Sequence, residues 1–311
     1  MMRLTHREPV PDGLRGAIMA LGNFDGFHLG HQRVVAEAVA WARAEGRPAI
    51  AATFDPHPVR YFAPHVPPFR LTTLDQREEL FCAAGVDAML VFEFGEALAN
   101  TSAEAFVGDL LGRHLGAAGV ITGEDFSFGH GRGGTVAVLA REGARHGIAA
   151  RTVGPVMDDA LPVSSSRIRD ALKAGDCETA TRLLTRPFAI RGSVIHGDQR
   201  GRAIGYPTAN MELGSYLRPR YGIYAVTARD VASGQRYRGA ANLGIRPSFV
   251  PPKELLEPFL FDFSGDLYGR TLDVALHAFL RPERRFDTLD ALKAQMERDC
   301  EEARNILSAR P

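Results

Sequence analysis

A chain of 311 residues is long enough to bury two full-sized cores, and 45% hydrophobic against 24% charged residues is the balance of an ordinary globular protein. A formal net charge of +0 removes any global field that would draw the chain onto nucleic acid or anionic lipid, so selectivity has to be local. No run reaches the ~18 apolar residues of a membrane span, residues 1–11 hold no apolar stretch of signal-peptide length, and three unspaced cysteines point to a reducing compartment. The expectation is a cytoplasmic protein without membrane or nucleic-acid partners.

The first strong element is an apolar run at residues 17–21, which reads as a buried parallel strand, followed by a glycine-containing loop and a helix from about 28 to 43. His28 and His31 fall at the N-terminus of that helix and, three apart, share one face. Gly30 between them removes a side chain where a ligand would approach the backbone. Free N–H groups and the positive end of the helix dipole suit a phosphate in transit. Two readings stand, caps or surface polar residues on one side and a phosphate site on the other, and the strand–loop–helix context favours the second. A zinc site is not expected: a further ligand at a recognisable spacing is missing, and Cys82, Cys177 and Cys300 are scattered.

Gly22-x-Phe24-Asp25-x-x-His28-x-Gly30-His31 resembles the HxGH signature of the nucleotidyltransferase superfamily. The resemblance implies that the histidines and the helix end stabilise charge on the α-phosphate of ATP, with Gly22, Phe24, Asp25 and Gly30 in the nucleotide site.

Residues 48–53 read as a second strand running into Phe54-Asp55-Pro56-His57-Pro58, which the prolines are expected to keep extended and non-helical. Ligands of open α/β sheets sit at the C-terminal ends of parallel strands, so His57 is either a site residue or a polar turn residue. A helix at 74–84, a strand at 88–92, a helix at 102–115 and a strand at 119–122 continue a βαβα alternation. Gly129-x-Gly131-x-x-Gly134 formally satisfies GxGxxG, but it follows the fourth strand rather than the first. It reads as a glycine-rich loop able to close over a ligand, not as a dinucleotide fingerprint. A helix at 135–146 and a strand at 148–153 complete the sheet. Ser164, Ser165 and Ser166 then open a helix to about residue 173. The hydroxyls serve as caps, yet Arg167 and Arg169 in the first turn oppose the dipole, which argues for an external anion such as a triphosphate. In the resemblance this is a second signature that grips the ATP phosphates through Ser164, Ser165 and Arg167, with Ser166 where the usual pattern has Thr.

The helical pattern stops at residues 184–187, and short strands broken by Gly and Pro follow at 188–195, 222–229, 237–243, 259–263 and 271–279. A compact antiparallel barrel is expected there, with domains at 1–184 and 185–311. A last helix is expected from about 288 to 307, capped by Asp287 or Thr288, with Leu289, Leu292, Met296 and Ile306 in the core. Residues 197–210 combine three further glycines and two arginines with Pro207-Thr208-Ala209-Asn210. This is a hairpin turn, or a segment whose glycines admit phosphates and whose Thr208 and Asn210 offer hard oxygens to a magnesium ion carried in with the nucleotide.

That segment resembles riboflavin kinase, and the chain as a whole is similar to the bacterial bifunctional riboflavin kinase and FMN adenylyltransferase family, also called FAD synthetases. The likeness spans both motif sets in order, including Asn242-x-Gly244-x-Arg246-Pro247 and residues 261–269. It implies an α/β plus β architecture: an N-terminal Rossmann-like nucleotidyltransferase parallel sheet, then a riboflavin kinase-like antiparallel β-barrel with a terminal helix. The implied substrates are riboflavin, FMN and ATP with Mg2+, flavin being both substrate and product. By the same resemblance Glu257 is the base for the ribityl 5′-hydroxyl, and Gly197, Gly201, Arg202, Gly205, Pro207, Thr208 and Asn210 hold ATP. Phe54, Pro56, His57, Pro58, Asp125, Phe126 and Phe128 lie near flavin in the first domain, and Asn242 and Arg246 do so in the second. Two departures stand out: Ile245 and Ser248 where the family commonly has Thr, and Phe259 where many members have His.

Overall fold

The computed structural model describes residues 1–197, 205–246 and 252–309. Gly201 and Arg202 therefore lie outside the described residues. By packing the chain divides into two units, one of Met1–Val66 with Thr73–Ser164 and one of Pro67–Thr72 with the chain from Ser165 onward.

The first unit is built on six parallel strands: β1 (Met2–Thr5), β2 (Ile18–Leu21), β3 (Ala49–Asp55), β4 (Ala88–Glu93), β5 (Gly119–Gly123) and β6 (Ala149–Val153), in the order β1-β4-β3-β2-β5-β6. Alternation along each strand divides the core between two faces. Met19, Leu21, Ile50, Leu90 and Phe92 go to one side, and Ile18, Ala20, Ala51, Met89 and Val91 to the other, which is why the inner strands read as unbroken apolar runs. Helix α1 (Leu29–Ala44) lays Val34, Val35, Ala38 and Trp41 on the second face. From β2 the order runs outward through β3 and β4 on one side and through β5 and β6 on the other. The crevice beyond the C-terminal ends of β2 and β5 is thus the topological switch point.

Three expectations change here. The edge strand β1 was not anticipated: it is short and half exposed, and only pairing with β4 makes it a strand. Pro58 does not keep its segment extended but opens a short helix, α2 (Pro58–Phe62), just after the cis Asp55–Pro56 peptide. Proline at the first helical position gives up only an N–H that has no partner in the helix. The helix after Ser102 starts with Ala103–Ala105 and widens into a π-helix over Phe106–His114, closed by Leu115 N–H donating to the Leu110 carbonyl at 2.9 Å. The loop at 129–134 is tied by Phe128 and Gly134, which exchange backbone hydrogen bonds of 3.0 and 2.8 Å. Helices α3 (Leu74–Ala83) and α4 (Val136–Arg145) complete the layers.

In the second unit, α5 (Ser165–Ala174) and α6 (Cys177–Leu184) precede six antiparallel strands. These are β7 (Phe188–Ser193), β8 (Met211–Glu212), β9 (Gly222–Asp230), β10 (Arg236–Arg246), β11 (Lys253–Leu260) and β12 (Thr271–Arg281), in the order β8-β11-β10-β9-β12-β7. The two edges approach each other where Ile195 N–H donates to the Asn210 carbonyl at 2.8 Å, so the sheet is a nearly closed barrel. Strand β11 starts six residues before the expected 259, because its register with β10 carries Lys253, Glu254 and Glu257 as strand residues despite their polarity. Helix α7 (Leu289–Ser308) is capped by Thr288, whose hydroxyl accepts from Ala291 N–H at 3.1 Å. Leu289 is not a core residue: it is 52% exposed in the first turn, and the buried positions are Asp299, Ala303 and Leu307.

Candidate functional site

In the first unit β2 delivers the chain into a turn that places two bulky residues in the left-handed region, Phe24 at φ 50 and Phe27 at φ 44. Each such residue costs about 1–2 kcal/mol. The cost is offset by burial, since both rings sit edge-on against Phe81 at 5.6 and 5.1 Å. Gly22 leaves room for this arrangement: a Cβ there would stand 3.0 Å from the Phe24 ring. Below the turn, Arg77 is 3% exposed and donates to the Asn23 carbonyl at 3.2 Å and to the Thr53 hydroxyl at 2.6 Å. The Thr53 hydroxyl in turn donates to the Asn23 carbonyl at 2.8 Å. A buried cation on a backbone carbonyl fixes the turn in place, and Asp25 within the turn is itself buried.

The turn ends in His28, the N-cap of α1, whose Nδ1 accepts from His31 N–H at 3.4 Å. With Nδ1 as acceptor, the neutral ring carries its proton on Nε2, a donor for an incoming anion. The rings of His28 and His31 stack at 3.6 Å with an interplanar angle of 18°, and Phe24 braces His31 edge-on at 5.3 Å. A Cβ on Gly30 would approach His28 Cε1 to 3.2 Å and the Val163 carbonyl to 3.7 Å, so this glycine makes room for the His28 ring. Two imidazoles and the unsatisfied N–H groups of a 16-residue helix thus meet at the switch point, an arrangement able to stabilise a phosphate. Ser164 follows Val163 and closes the first unit, whereas Ser165 and Arg167 lie in the first turn of α5.

The residues expected near flavin separate by burial. Phe54 and Phe128 are core side chains, Phe54 stacked on Phe92 at 5.1 Å, while Phe126 is half-buried and stacked on Phe128 at 5.8 Å. His57 caps α2, its Nδ1 accepting from Val59 N–H at 3.2 Å, and Asp125 is exposed in the loop after β5. The aromatic series reaches the surface at Phe62, 67% exposed and edge-on to Phe94 at 5.7 Å, and at Tyr61. Neither was singled out from the sequence. Their signal was an aromatic pair directly after a Pro-flanked loop, which reads equally well as core.

In the second unit a cleft of about 360 Å³ opens between the barrel and α7. Antiparallel register sets Asn242 opposite Glu257, and both line the cleft with Thr208, Arg246 and Phe259. Thr208 is held by a bridge to Phe259, next to Ala209, whose N–H donates to the Pro258 carbonyl at 2.9 Å. Asn242 Oδ1 is buried with no hydrogen-bond partner among the described residues, an acceptor with bonding capacity to spare. Asn210 is buried, and a Cβ on Gly197 would stand 2.7 Å from its Cγ, so Gly197 gives this amide its place. Gly205 sits at φ 93, which accounts for glycine there, and Pro207 is exposed.

Arg246 donates through Nε to Glu257 Oε2 and through Nη1 to Glu283 Oε1 at 3.0 Å. Burial lowers its pKa, but the two carboxylates outweigh burial and hold the guanidinium above the ordinary arginine value. At the α7 side Arg281 grips both oxygens of buried Asp299, with Nη2 at 2.6 Å and Nε at 2.8 Å, and Gln295 adds a bond of 2.8 Å. Burial, with Asp299 adding to it, pushes the neighbouring Cys300 thiol up to about 11. Glu283, Arg281 and Asp299 were missed in the sequence, where Arg281-Pro282-Glu283-Arg284 looks like a solvated charge run.

A magnesium ion would find hydroxyl and amide oxygens at Thr208 and Asn210, a hard donor set, and Gly197 provides the space that keeps the amide there. Among the described residues no group of three or more His, Cys, Asp or Glu side chains is placed to cage a metal. The residues fit an ion that arrives on a nucleotide.

Comparison with known proteins gives two family models, FAD synthetase over residues 11–167 and riboflavin kinase over residues 184–307. Bifunctional riboflavin kinase/FMN adenylyltransferases are similar over nearly full lengths. That of Pseudomonas fluorescens is 40% identical, covering 94% of this chain and 93% of its own. That of Escherichia coli strain K12 is 37% identical, covering 91% and 90%. A crystal structure described as a macrolide-efflux protein from Streptococcus pneumoniae matches with a TM-score of 0.87 at 30% identity, covering 98% of this chain and 99% of that one.

Proposed function

The chain belongs to the bifunctional riboflavin kinase/FMN adenylyltransferase family, and from that premise we propose which residues carry each of its two activities. Those activities are ATP-dependent phosphorylation of riboflavin to FMN and adenylylation of FMN to FAD with release of pyrophosphate. We assign residues 1–184 to adenylylation and 185–311 to the kinase, a division supported by the edges of the two matching models at 167 and 184.

In the kinase cleft Glu257 accepts the proton of the ribityl 5′-hydroxyl as its oxygen attacks the γ-phosphorus of ATP, and ADP leaves. Thr208 and Asn210 hold the phosphates and the Mg2+ that comes with them; the ion, when bound, neutralises phosphate charge. Asn242 and Arg246 contact the flavin, and Phe259 and Tyr206, edge-on at 5.1 Å, supply apolar wall. In the adenylylation site the FMN phosphate is already ionised and needs no base. It attacks the α-phosphorus of ATP while His28, His31 and the N–H groups of α1 stabilise the growing charge. Gly22, Phe24, Asp25 and Gly30 shape that nucleotide site, and Ser164, Ser165 and Arg167 are assigned to the ATP phosphates. The absence of disulfides among the described residues supports a reducing, cytoplasmic setting.

The observation that carries the reading is that the histidine pair and the Glu257 cleft lie in separately packed units. The test is chromatography of riboflavin, ATP and magnesium after incubation with enzyme. His31→Ala is expected to stop at FMN, and Glu257→Gln to make FAD only when FMN is supplied. Loss of both activities in either variant overturns the assignment. Transport, named for the streptococcal structure, is not what this geometry supports. Two nucleotide-handling sites account for the motifs, and no described helix is long and apolar enough to cross a membrane.

A further inference from the structure

We propose that Glu283 is a positioning residue of the kinase reaction, acting through Arg246 on Glu257; this rests on the reading above in which Glu257 is the proton acceptor. A guanidinium is planar and presents donors on separate edges. The edge of Arg246 formed by Nε and Nη2 closes on Glu257 Oε2, and Nη1 donates to Glu283 Oε1 at 3.0 Å. A planar group gripped on two sides cannot rotate without breaking one of the bonds, so Glu283 sets where the Glu257 carboxylate stands.

Space for this grip is built into the backbone. Strand β10 passes Glu283 at Gly244, where a Cβ would stand 2.6 Å from the Glu283 Cδ. Gly244 is not among the residues with positive φ, so no turn demands glycine there. The Glu283 carboxylate stands in the space that a side chain there would fill.

Charge adds a second effect. Arg246 paired with Glu257 alone would cancel it one for one. Two carboxylates share one guanidinium, so the Arg246 charge is divided between Glu257 and Glu283 rather than set against Glu257 alone. Asp299 cannot take this part, because Arg281 and Gln295 already occupy its oxygens. Arg284, the other cation lining the cleft, donates to Gln295.

The test compares Glu283→Gln, Gly244→Ala, Arg246→Met, the double variant Arg246→Met with Glu283→Gln, and Glu257→Gln. Kinase turnover is measured at saturating MgATP, riboflavin binding by quenching of flavin fluorescence, and adenylylation of supplied FMN as a control for folding. Glu283→Gln, and Gly244→Ala which displaces the carboxylate without removing its charge, are expected to lower kcat on the order of 10²-fold at riboflavin concentrations that the fluorescence titration shows to be saturating. Glu283→Asp recovers part of the loss. The double variant falls no further than Arg246→Met alone. Parent-like turnover in Glu283→Gln, or a loss that adds to that of Arg246→Met, overturns the proposal. Full turnover in Glu257→Gln instead sinks the assignment of the base itself.

Discussion

Gly30→Ala separates stability from catalysis in a way the geometry makes quantitative. Alanine in place of a helical glycine favours folding by about 0.5–1 kcal/mol. Here, however, the new methyl would stand 3.2 Å from His28 Cε1 and 3.3 Å from Nδ1, so the ring has to retreat by a few tenths of an ångström. It has little room to do so. His31 is stacked on it at 3.6 Å, and its Nδ1 holds the His31 N–H at 3.4 Å, already near the limit of a hydrogen bond. The cap is therefore expected to break, at about 0.5–2 kcal/mol, which roughly cancels the gain in helix propensity. Folding of the first unit should stay within about 1.5 kcal/mol of the parent. Displacing an oriented group costs far more in rate, on the order of 10²-fold or about 2.7 kcal/mol of transition-state stabilisation. FAD formation from supplied FMN, followed by pyrophosphate release, reads the rate; calorimetry reads stability; phosphorylation of riboflavin by the same preparation is the control. Full-rate FAD formation in Gly30→Ala refutes the reasoning, and so does a rate loss that only follows a loss of folded protein.

Gly197→Ala should mirror this in the kinase: the methyl collides with the Asn210 amide, so FMN formation falls while FAD formation from FMN is retained, both read by chromatography. Arg77→Met removes a buried cation from the Asn23 carbonyl and the Thr53 hydroxyl and is expected to destabilise the first unit by about 2–4 kcal/mol, with Arg77→Lys intermediate, measured by denaturant unfolding. Asp273 gives a pH signature. Burial pushes its pKa up, but the guanidiniums of Arg191 and Arg229 outweigh burial and hold it below the ordinary carboxylate value. A depressed pKa stabilises the fold above the unfolded-state value of about 3.9, and that stability is lost as pH falls from there through the folded value. The melting temperature of the second unit should drop across that acid range in the parent, and Asp273→Asn should flatten the dependence.

What could be read from the sequence was local. The strand at 18–21 and the helix after it are visible because burial on both faces demands an unbroken apolar run and one helical face demands spaced ones. What stayed hidden depends on partners far along the chain. Strand β1 exists only by pairing with β4. Leu289 looked like core by its spacing, yet it lies at the open end of its helix, and the position that mattered was Asp299, a charged residue buried by Arg281. Glu283 was lost in a charge run because its partner, Arg246, lies 37 residues earlier, on strand β10.

The glycines carry the point further. In the sequence, Gly30 and Gly197 read as vacancies for phosphate. In the structure each vacancy is taken by a polar side chain of the protein itself: His28 beside Gly30, Asn210 beside Gly197, and, unexpectedly, Glu283 beside Gly244. A side chain packed against bare backbone has fewer rotamers open to it, so each pair narrows where its polar group can stand. Two units of unrelated fold reach the same physical answer, an oriented polar group secured by an absent Cβ, and it follows that alanine at any of the three sites should impair turnover more than stability.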